Sequence, residues 1–136
     1  EDEFRARHAA LAALKLPYLV AREGGEVLGY AYAGPFRPRT GYRFSLEDSV
    51  YVRADARRRG IGHSLLARLI PEATVWGARQ LLAVIGDSGN AGSIALHTSM
   101  GFTPAGTFRS VGFKFGRWVD IVLMQRDLGP GDTTLP

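Results

Sequence analysis

The sequence predicts an α+β domain, an α/β arrangement of three layers in which a mixed β-sheet carries packed helices. Three observations predict it. Apolar residues recur at helical spacing near the start, after Gly62 and after Asn90. Runs of β-branched, aromatic and aliphatic residues occupy the stretches between. The run ending at Val52 reaches the run Leu81 to Ile85 through a helix, so those two strands are expected to be parallel neighbours joined by a right-handed crossover. At 136 residues, 46% of them apolar, the chain is one domain long enough for a real core.

Taken in order, Phe4 to Leu14 reads as a helix with Phe4, His8, Leu11 and Leu14 near one face, and Pro17 ends it. Tyr18 to Arg22 and Val27 to Ala33 read as strands around the hairpin signal Gly24-Gly25. Pro35 to Gly41 is a loop of proline, glycine and arginine, and Phe44 to Val52 a third strand. The helix after Gly62 buries Leu65, Leu66, Leu69 and Ile70, with a kink or break expected at Pro71. Leu81 to Ile85 is a continuous apolar run, as in a strand buried on both faces. A helix spans Asn90 to Met100, started by Asn90 or Gly89 and stopped by Gly101. Phe108 to Phe115 and Trp118 to Gln125 form a last antiparallel pair joined at Gly116. Residues 1–128 form the domain, and from Gly129 a loose tail of proline, glycine and threonine is expected.

The most informative segment is Arg57-Arg58-Arg59-Gly60-Ile61-Gly62, where a strand empties through a turn into a helix N-terminus. Glycines let backbone approach a ligand without a Cβ in the way. The first helical amides have no partner within the helix, and its dipole favours negative charge there. The arginines add charge-assisted hydrogen bonds to phosphate oxygens. A phosphate-bearing ligand is therefore expected. The segment lacks the lysine and spacing of a nucleotide-hydrolase phosphate loop. With Leu65 where a third glycine would stand, it also fails the dinucleotide fingerprint. A solvated charged turn is the plain alternative.

Composition narrows the field further. Cysteine is absent, which removes disulfides, cysteine nucleophiles and thiolate metal sites, and fits a reducing cytoplasm. A net charge of +4 favours anionic ligands, and arginine supplies it, the only lysines being Lys15 and Lys114. Nucleic acid is not expected as a partner, since no aromatic interleaving accompanies the arginines. No stretch approaches the roughly 20 apolar residues of a membrane span, so no membrane association is expected. The acidic start Glu1-Asp2-Glu3 is unlike a signal peptide. It has no initiator methionine and begins within a helix, so preceding residues are expected.

Other candidates are weaker. Gly86-Asp87-Ser88-Gly89 resembles a serine-nucleophile segment, but that chemistry needs a histidine and an aspartate from elsewhere, and a turn before a helix is the simpler reading. The three histidines, His8, His63 and His97, have no metal-ligand spacing, and no metal is expected. Glu47 and Asp48 stand within an apolar strand. With period 2, Glu47 shares a face with Ser49 and Tyr51, and Asp48 with Val50 and Val52. An acid directed into a pocket can have a raised pKa and act as a base; an exposed carboxylate is the alternative.

Together these residues resemble the GNAT superfamily of acetyl-CoA-dependent N-acetyltransferases. Arg57 to Gly62 fits its Q/R-x-x-G-x-G/A pyrophosphate motif, and Asn90, Ser93, His97 and Gly101-Phe102 fit its later motif. Several segments resemble the phosphinothricin and methionine-sulfone acetyltransferase branch. These are Gly34 to Arg39, Tyr42, Glu47 with Val50-Tyr51-Val52, Ala83 to Gly86, Leu96-His97 and Gly112 to Trp118. The resemblance covers nearly the whole chain to about residue 127. It departs from the family in starting near the family's second helix, without its first strand and helix. His97 stands where most members have tyrosine, and Pro71 is unusual in the central helix.

The resemblance implies a splayed mixed sheet with helices on both faces, and transfer of acetyl from acetyl-CoA to the amino group of a small amino acid such as phosphinothricin, methionine sulfone or methionine sulfoximine. It implies a coenzyme site at Val50, Tyr51, Val52, Arg57, Arg58, Arg59, Gly60, Ile61, Gly62, His63, Ser64, Asn90 and Ser93. The Val52 amide would polarise the thioester carbonyl. Glu47 would deprotonate the amine, directly or through a water, and His97 would orient that water or protonate the leaving thiolate. Phe36, Arg37, Arg39, Tyr42, Lys114, Phe115 and Trp118 would hold the acceptor. Without cysteine, direct attack in a ternary complex is expected. A homodimer in the cytoplasm is the implied state. The alternatives are a non-catalytic acyl-CoA-binding module or acetylation of another amine, such as a protein N-terminus or a polyamine.

Overall fold

Two helices and the last turns of one strand ladder decide where this molecule opens. The computed structural model describes residues 2–88 and 90–136, apart from the side chain of Phe4. The helix-face position of Phe4 and the alternative helix start at Gly89 lie outside the described residues. In chain order the elements are α1 (Asp2–Ala13), β1 (Tyr18–Glu23), β2 (Glu26–Pro35), β3 (Ser45–Val52), α2 (Ile61–Trp76), β4 (Gln80–Gly86), α3 (Ala91–Ser99), β5 (Thr103–Lys114) and β6 (Arg117–Asp127). Short 3-10 turns at Thr40–Tyr42 and Ala54–Ala56 flank β3.

The six strands form one sheet in the order β1-β2-β3-β4-β6-β5. All neighbours are antiparallel except β3 and β4, which run parallel on either side of α2, as the crossover argument requires. Both tight hairpins use left-handed turn residues. Gly24 and Gly25 have φ of 58° and 87°, and Phe115 and Gly116 have φ of 54° and 73°.

Register assigns the faces. On one face Ala31, Ala33, Leu46, Leu81, Ala83, Ile85 and Met124 meet Leu65, Leu66, Leu69, Ile70 and Ala73 of α2. Burying each large side chain of this set is worth roughly 1.5–3 kcal/mol. On the other face Tyr18, Tyr30, Tyr32 and Tyr51 stack across β1, β2 and β3, with centroids 5.3–6.4 Å apart. There α1 lies against the stack, with His8 edge-on to Tyr18 at 4.7 Å and Arg7 over Tyr32. Helices thus cover both faces.

Two local expectations fail for physical reasons. Helix α2 runs through Pro71 to Trp76 without a break. Pro71 is exposed, and so is Ala67, the residue whose carbonyl loses its amide donor. Strand β4 is buried on one face only: Leu81, Ala83 and Ile85 are buried, while Val84 is 38% exposed. The helix on that side, α1, packs on β1. After Gly129, the carbonyls of Gly131, Thr134 and Leu135 accept from Arg79, the residue just before β4.

Candidate active site

Strands β3 and β4 pair only from Ser45 to Asp48 and from Gln80 to Ala83. Beyond those residues β3 stays with β2 as far as Val52, and β4 stays with β6 as far as Gly86, so the two diverge. The backbone pattern shows what faces the opening. Arg53 N–H donates to Leu28 O at one end of the β2–β3 ladder, and Phe36 N–H donates to Ser45 O at the other. Bonded pairs alternate along an antiparallel ladder, so the odd-numbered residues of β3 bond to β2. The N–H and C=O groups of Leu46 and Asp48 then turn toward β4, and those of Val50 and Val52 turn into the gap β4 has left. Two main-chain amides without a strand partner line the cleft.

The turn into α2 stands at the wide end of this opening. Gly60, at φ 77°, is the residue that precedes the helix, and no side chain caps it. The amides of Ile61, Gly62 and His63 precede the first intrahelical bond, made by Ser64 N–H to Gly60 O at 3.0 Å. Gly62 is tightly placed: a Cβ there would come within 3.0 Å of Leu96 on α3 and 3.7 Å of Val52 on β3. The missing side chain thus lets the helix start sit against both walls. Arg57 and Arg58 are exposed, and Arg59 pairs with Glu23 of β1 in an exposed bridge. Such a bridge is worth little and can be exchanged for another anion. Uncapped amides, a left-handed glycine and flanking arginines suit a diphosphate, so the residues present fit a nucleotide-bearing cofactor.

At the narrow end of the cleft the two acids separate. Glu47 faces the tyrosine side, in a row with Gly34 and Leu82, and is half-buried. Burial raises its pKa above the ordinary carboxylate range, and the neighbouring Asp48 charge adds to the rise. Asp48 faces the opposite way, flanked by Ala33 and Ala83, and is only 7% exposed. His97 from α3 meets it. Its Nε2 lies 3.1 and 3.0 Å from the two Asp48 oxygens, and its Nδ1 lies 2.8 Å from the Ser93 carbonyl. The Phe102 ring packs edge-on against the imidazole at 4.8 Å. The His97 pKa is raised. Burial opposes the charged ring, but the hydrogen bond and charge of Asp48, with the Ser93 carbonyl, outweigh it.

The other expected site residues divide among three places. Asn90 Oδ1 caps α3 by accepting from Ser93 N–H at 3.2 Å, and Ser93 Oγ stands 3.5 Å from His97 Nδ1, so both serve the start of that helix. In the β2–β3 loop, Phe36 packs edge-on to Tyr42, and the Arg37 guanidinium lies 4.9 Å over the Phe36 ring; Arg39 is exposed beside them. On the β5–β6 hairpin, Phe115 and Trp118 are 92% and 65% exposed. Lys114 reaches toward Gly86 at the end of β4. No hydrogen bond, ion pair or ring contact joins the loop set to the hairpin set among the described residues. Asp48, weighed beside Glu47 in the sequence, was given no role there. Its shared parity with Val50 and Val52 was the available signal.

The geometry agrees with known proteins. A family model described as the acetyltransferase (GNAT) family matches residues 1–102. The chain is 56% identical over 136 residues to the phosphinothricin N-acetyltransferase of Alcaligenes faecalis, covering 100% of this chain and 69% of that protein. It is 50% identical over 115 residues to an L-methionine sulfoximine/L-methionine sulfone acetyltransferase of Pseudomonas aeruginosa, covering 84% of this chain and 66% of that protein. The chain thus spans about two thirds of the length of these relatives. Among solved structures, a GNAT superfamily phosphinothricin acetyltransferase from Sinorhizobium meliloti in complex with acetyl-CoA superposes with a TM-score of 0.95 at 46% identity, covering 99% of this chain and 73% of that one. A putative acetyltransferase from Salmonella typhimurium with its cofactor acetyl-CoA gives 0.93 at 42% identity, covering 99% and 76%. Family model, close relatives and the splayed sheet agree: the chain belongs to the GNAT acetyltransferase family.

Proposed function

We propose that residues 1–128 carry an N-acetyltransferase that moves acetyl from acetyl-CoA to the amino group of a small amino acid, of the kind named for the relatives above. The observation that carries this reading is the parting of β3 and β4 at Asp48 and Ala83, with the Val50 and Val52 amides turned into the gap and an uncapped α2 at its mouth. The first amides of α2 with Arg57 and Arg58 would hold the diphosphate. Val50 and Val52 would pair with the amide-bearing arm as an added strand does. When bound, the coenzyme supplies an activated acyl thioester. The Val52 N–H would donate to oxygen charge developing in the cleft.

Glu47 is the general base in this scheme. An ammonium cannot attack, and a carboxylate with a raised proton affinity is suited to take its proton near neutral pH. The roles expected of His97, orienting that water or protonating the departing thiolate, carry no step in this scheme, because its ring nitrogens face the Ser93 carbonyl and the Asp48 carboxylate. The chain has no cysteine to carry an acetyl group, so attack is direct, and orientation supplies much of the acceleration. Arg37, Arg39, Tyr42 and Lys114 would bind the acceptor's carboxylate and its second oxyanionic or sulfonyl group, with Phe36, Phe115 and Trp118 against its aliphatic part. The strongly exposed aromatics of the β5–β6 hairpin support a homodimer, and we place the reaction in the cytoplasm. Among the described residues no helix is long and apolar enough to cross a membrane.

The direct test is thiol release from acetyl-CoA across a panel of amino acids, with phosphinothricin and methionine sulfone or sulfoximine expected to be the best acceptors. Coenzyme binding without turnover on any acceptor would instead mark a binding module. In the same assay, Arg37→Ala and Arg39→Ala are each expected to raise the acceptor KM roughly tenfold, as loss of one charge-assisted hydrogen bond would. The acetyl-CoA KM is expected to stay within twofold. Equal changes in both constants would assign these arginines to general charge.

A further inference from the structure

The Asp48–His97 pair is a costly arrangement that nothing in the transfer scheme uses. Both side chains are 3% exposed, and they join residues 49 apart in sequence. Taking an ion pair out of water is unfavourable unless every donor and acceptor is satisfied. Here the geometry satisfies the ring completely. Only an N–H can face the Ser93 carbonyl at 2.8 Å, and a second N–H fits Nε2, 3.0 and 3.1 Å from the two Asp48 oxygens. A ring with protons on both nitrogens would donate to all of these acceptors. Its other neighbour, Phe102, is apolar, and no charged group but Asp48 is felt by it among the described residues.

The location gives the pair a purpose. Asp48 is the last residue of β3 still paired with β4, and its partner there is Ala83. At this point the sheet stops holding its own strands together. The alanines at 33 and 83, on either side of Asp48 in the sheet, leave room for a ring from α3 to enter. We propose that Asp48 is a positioning residue whose carboxylate holds the doubly protonated His97 ring as a clamp, locking α3 to β3 where β3 and β4 part. A ring held this way offers neither nitrogen to a substrate, so it acts on transfer by fixing the deep end of the cleft. That consequence rests on the acetyl-transfer reading; the clamp itself does not.

The experiment has two readouts on the full chain. Imidazole nitrogens of the 15N-labelled protein are followed from pH 5.5 to 9, beside Asp48→Asn, which keeps the shape and removes the charge. His97 is expected to show imidazolium shifts on both nitrogens to a pH well above its ordinary value of about 6.5. In Asp48→Asn it should become a neutral ring protonated on Nδ1 alone. The kcat for acetyl transfer should fall at least tenfold in this variant, with the acetyl-CoA KM within twofold. A His97 ring in the wild type that is already neutral at pH 6.5, its proton residing on Asp48, would overturn the clamp. So would an unchanged titration, or an unchanged kcat, in Asp48→Asn. If that variant fails to fold, the wild-type titration decides alone. Absence of transfer by the wild type would count against acetyl transfer and leave the titration to judge the clamp.

Discussion

Replacing Glu47 with glutamine is expected to lower kcat by about 10²–10⁴-fold, the usual contribution of a positioned general base. The acetyl-CoA dissociation constant should stay within twofold, because Glu47 faces the tyrosine side of the sheet while the α2 amides stand at the mouth of the cleft. Glutamine has nearly the same shape and hydrogen-bonding reach, so the loss would report proton transfer rather than packing. The pH profile gives a second check with a definite sign. A base works deprotonated, so wild-type activity should fall as pH drops through the Glu47 pKa. Burial and the Asp48 charge place that fall above the ordinary carboxylate value of about 4.3. The same limb should be absent from the residual activity of Glu47→Gln. An unchanged kcat would remove Glu47 from the base role.

The second large effect concerns one main-chain hydrogen. Ladder alternation turns the Val52 amide away from β2 and into the gap beside β3. Proline is tolerated in a sheet only where the N–H it removes is not used by the ladder. Val52→Pro should therefore fold, with a modest loss of thermal stability, while kcat falls about 10²–10³-fold, as removal of one oxyanion donor does. Tyr51→Pro is the contrast. Its N–H serves the β2 ladder opposite Tyr30, so that substitution should damage the sheet itself. Comparable stability losses in both variants, or full activity in Val52→Pro, would show that the amide has been assigned to the wrong side.

Much of this architecture was legible in the residues because it rests on local rules. Leu65, Leu66, Leu69 and Ile70 repeat at helical spacing and are buried as that spacing requires. Gly24-Gly25 and Gly116 permit the left-handed turns that close their hairpins. Asn90 is a short polar acceptor three residues before the amide it caps. The misreadings share a tertiary origin. Whether Pro71 breaks α2 depends on whether the deprived carbonyl faces water, and a periodic pattern carries that only indirectly. An unbroken apolar run such as Leu81 to Ile85 says nothing about which of its faces a helix will cover. The partnership of Asp48 with His97 depends on register across three elements. Parity placed Asp48 on the face of Val50 and Val52, but the ring that meets it comes from a helix more than forty residues later.

The family motif located the mouth of the cleft, whereas its apex is visible only in the strand pairing. Residues 57 to 62, with their glycines and arginines, are the proposed anion site. The end of pairing at Asp48 and Ala83 has no residue signature of its own. It follows from how far β4 follows β6 rather than β3. The proposed site is thus a junction between a sequence-encoded helix start and a geometry that the sheet as a whole imposes.

The most direct measurement is a backbone amide map of the 15N-labelled chain titrated with acetyl-CoA. Saturable shifts concentrated at Val50, Val52 and residues 61–64 are the predicted result, with the β5 strand largely unmoved. Binding that leaves those amides unperturbed, or that maps to another face of the sheet, would contradict the cleft between β3 and β4 as the coenzyme site.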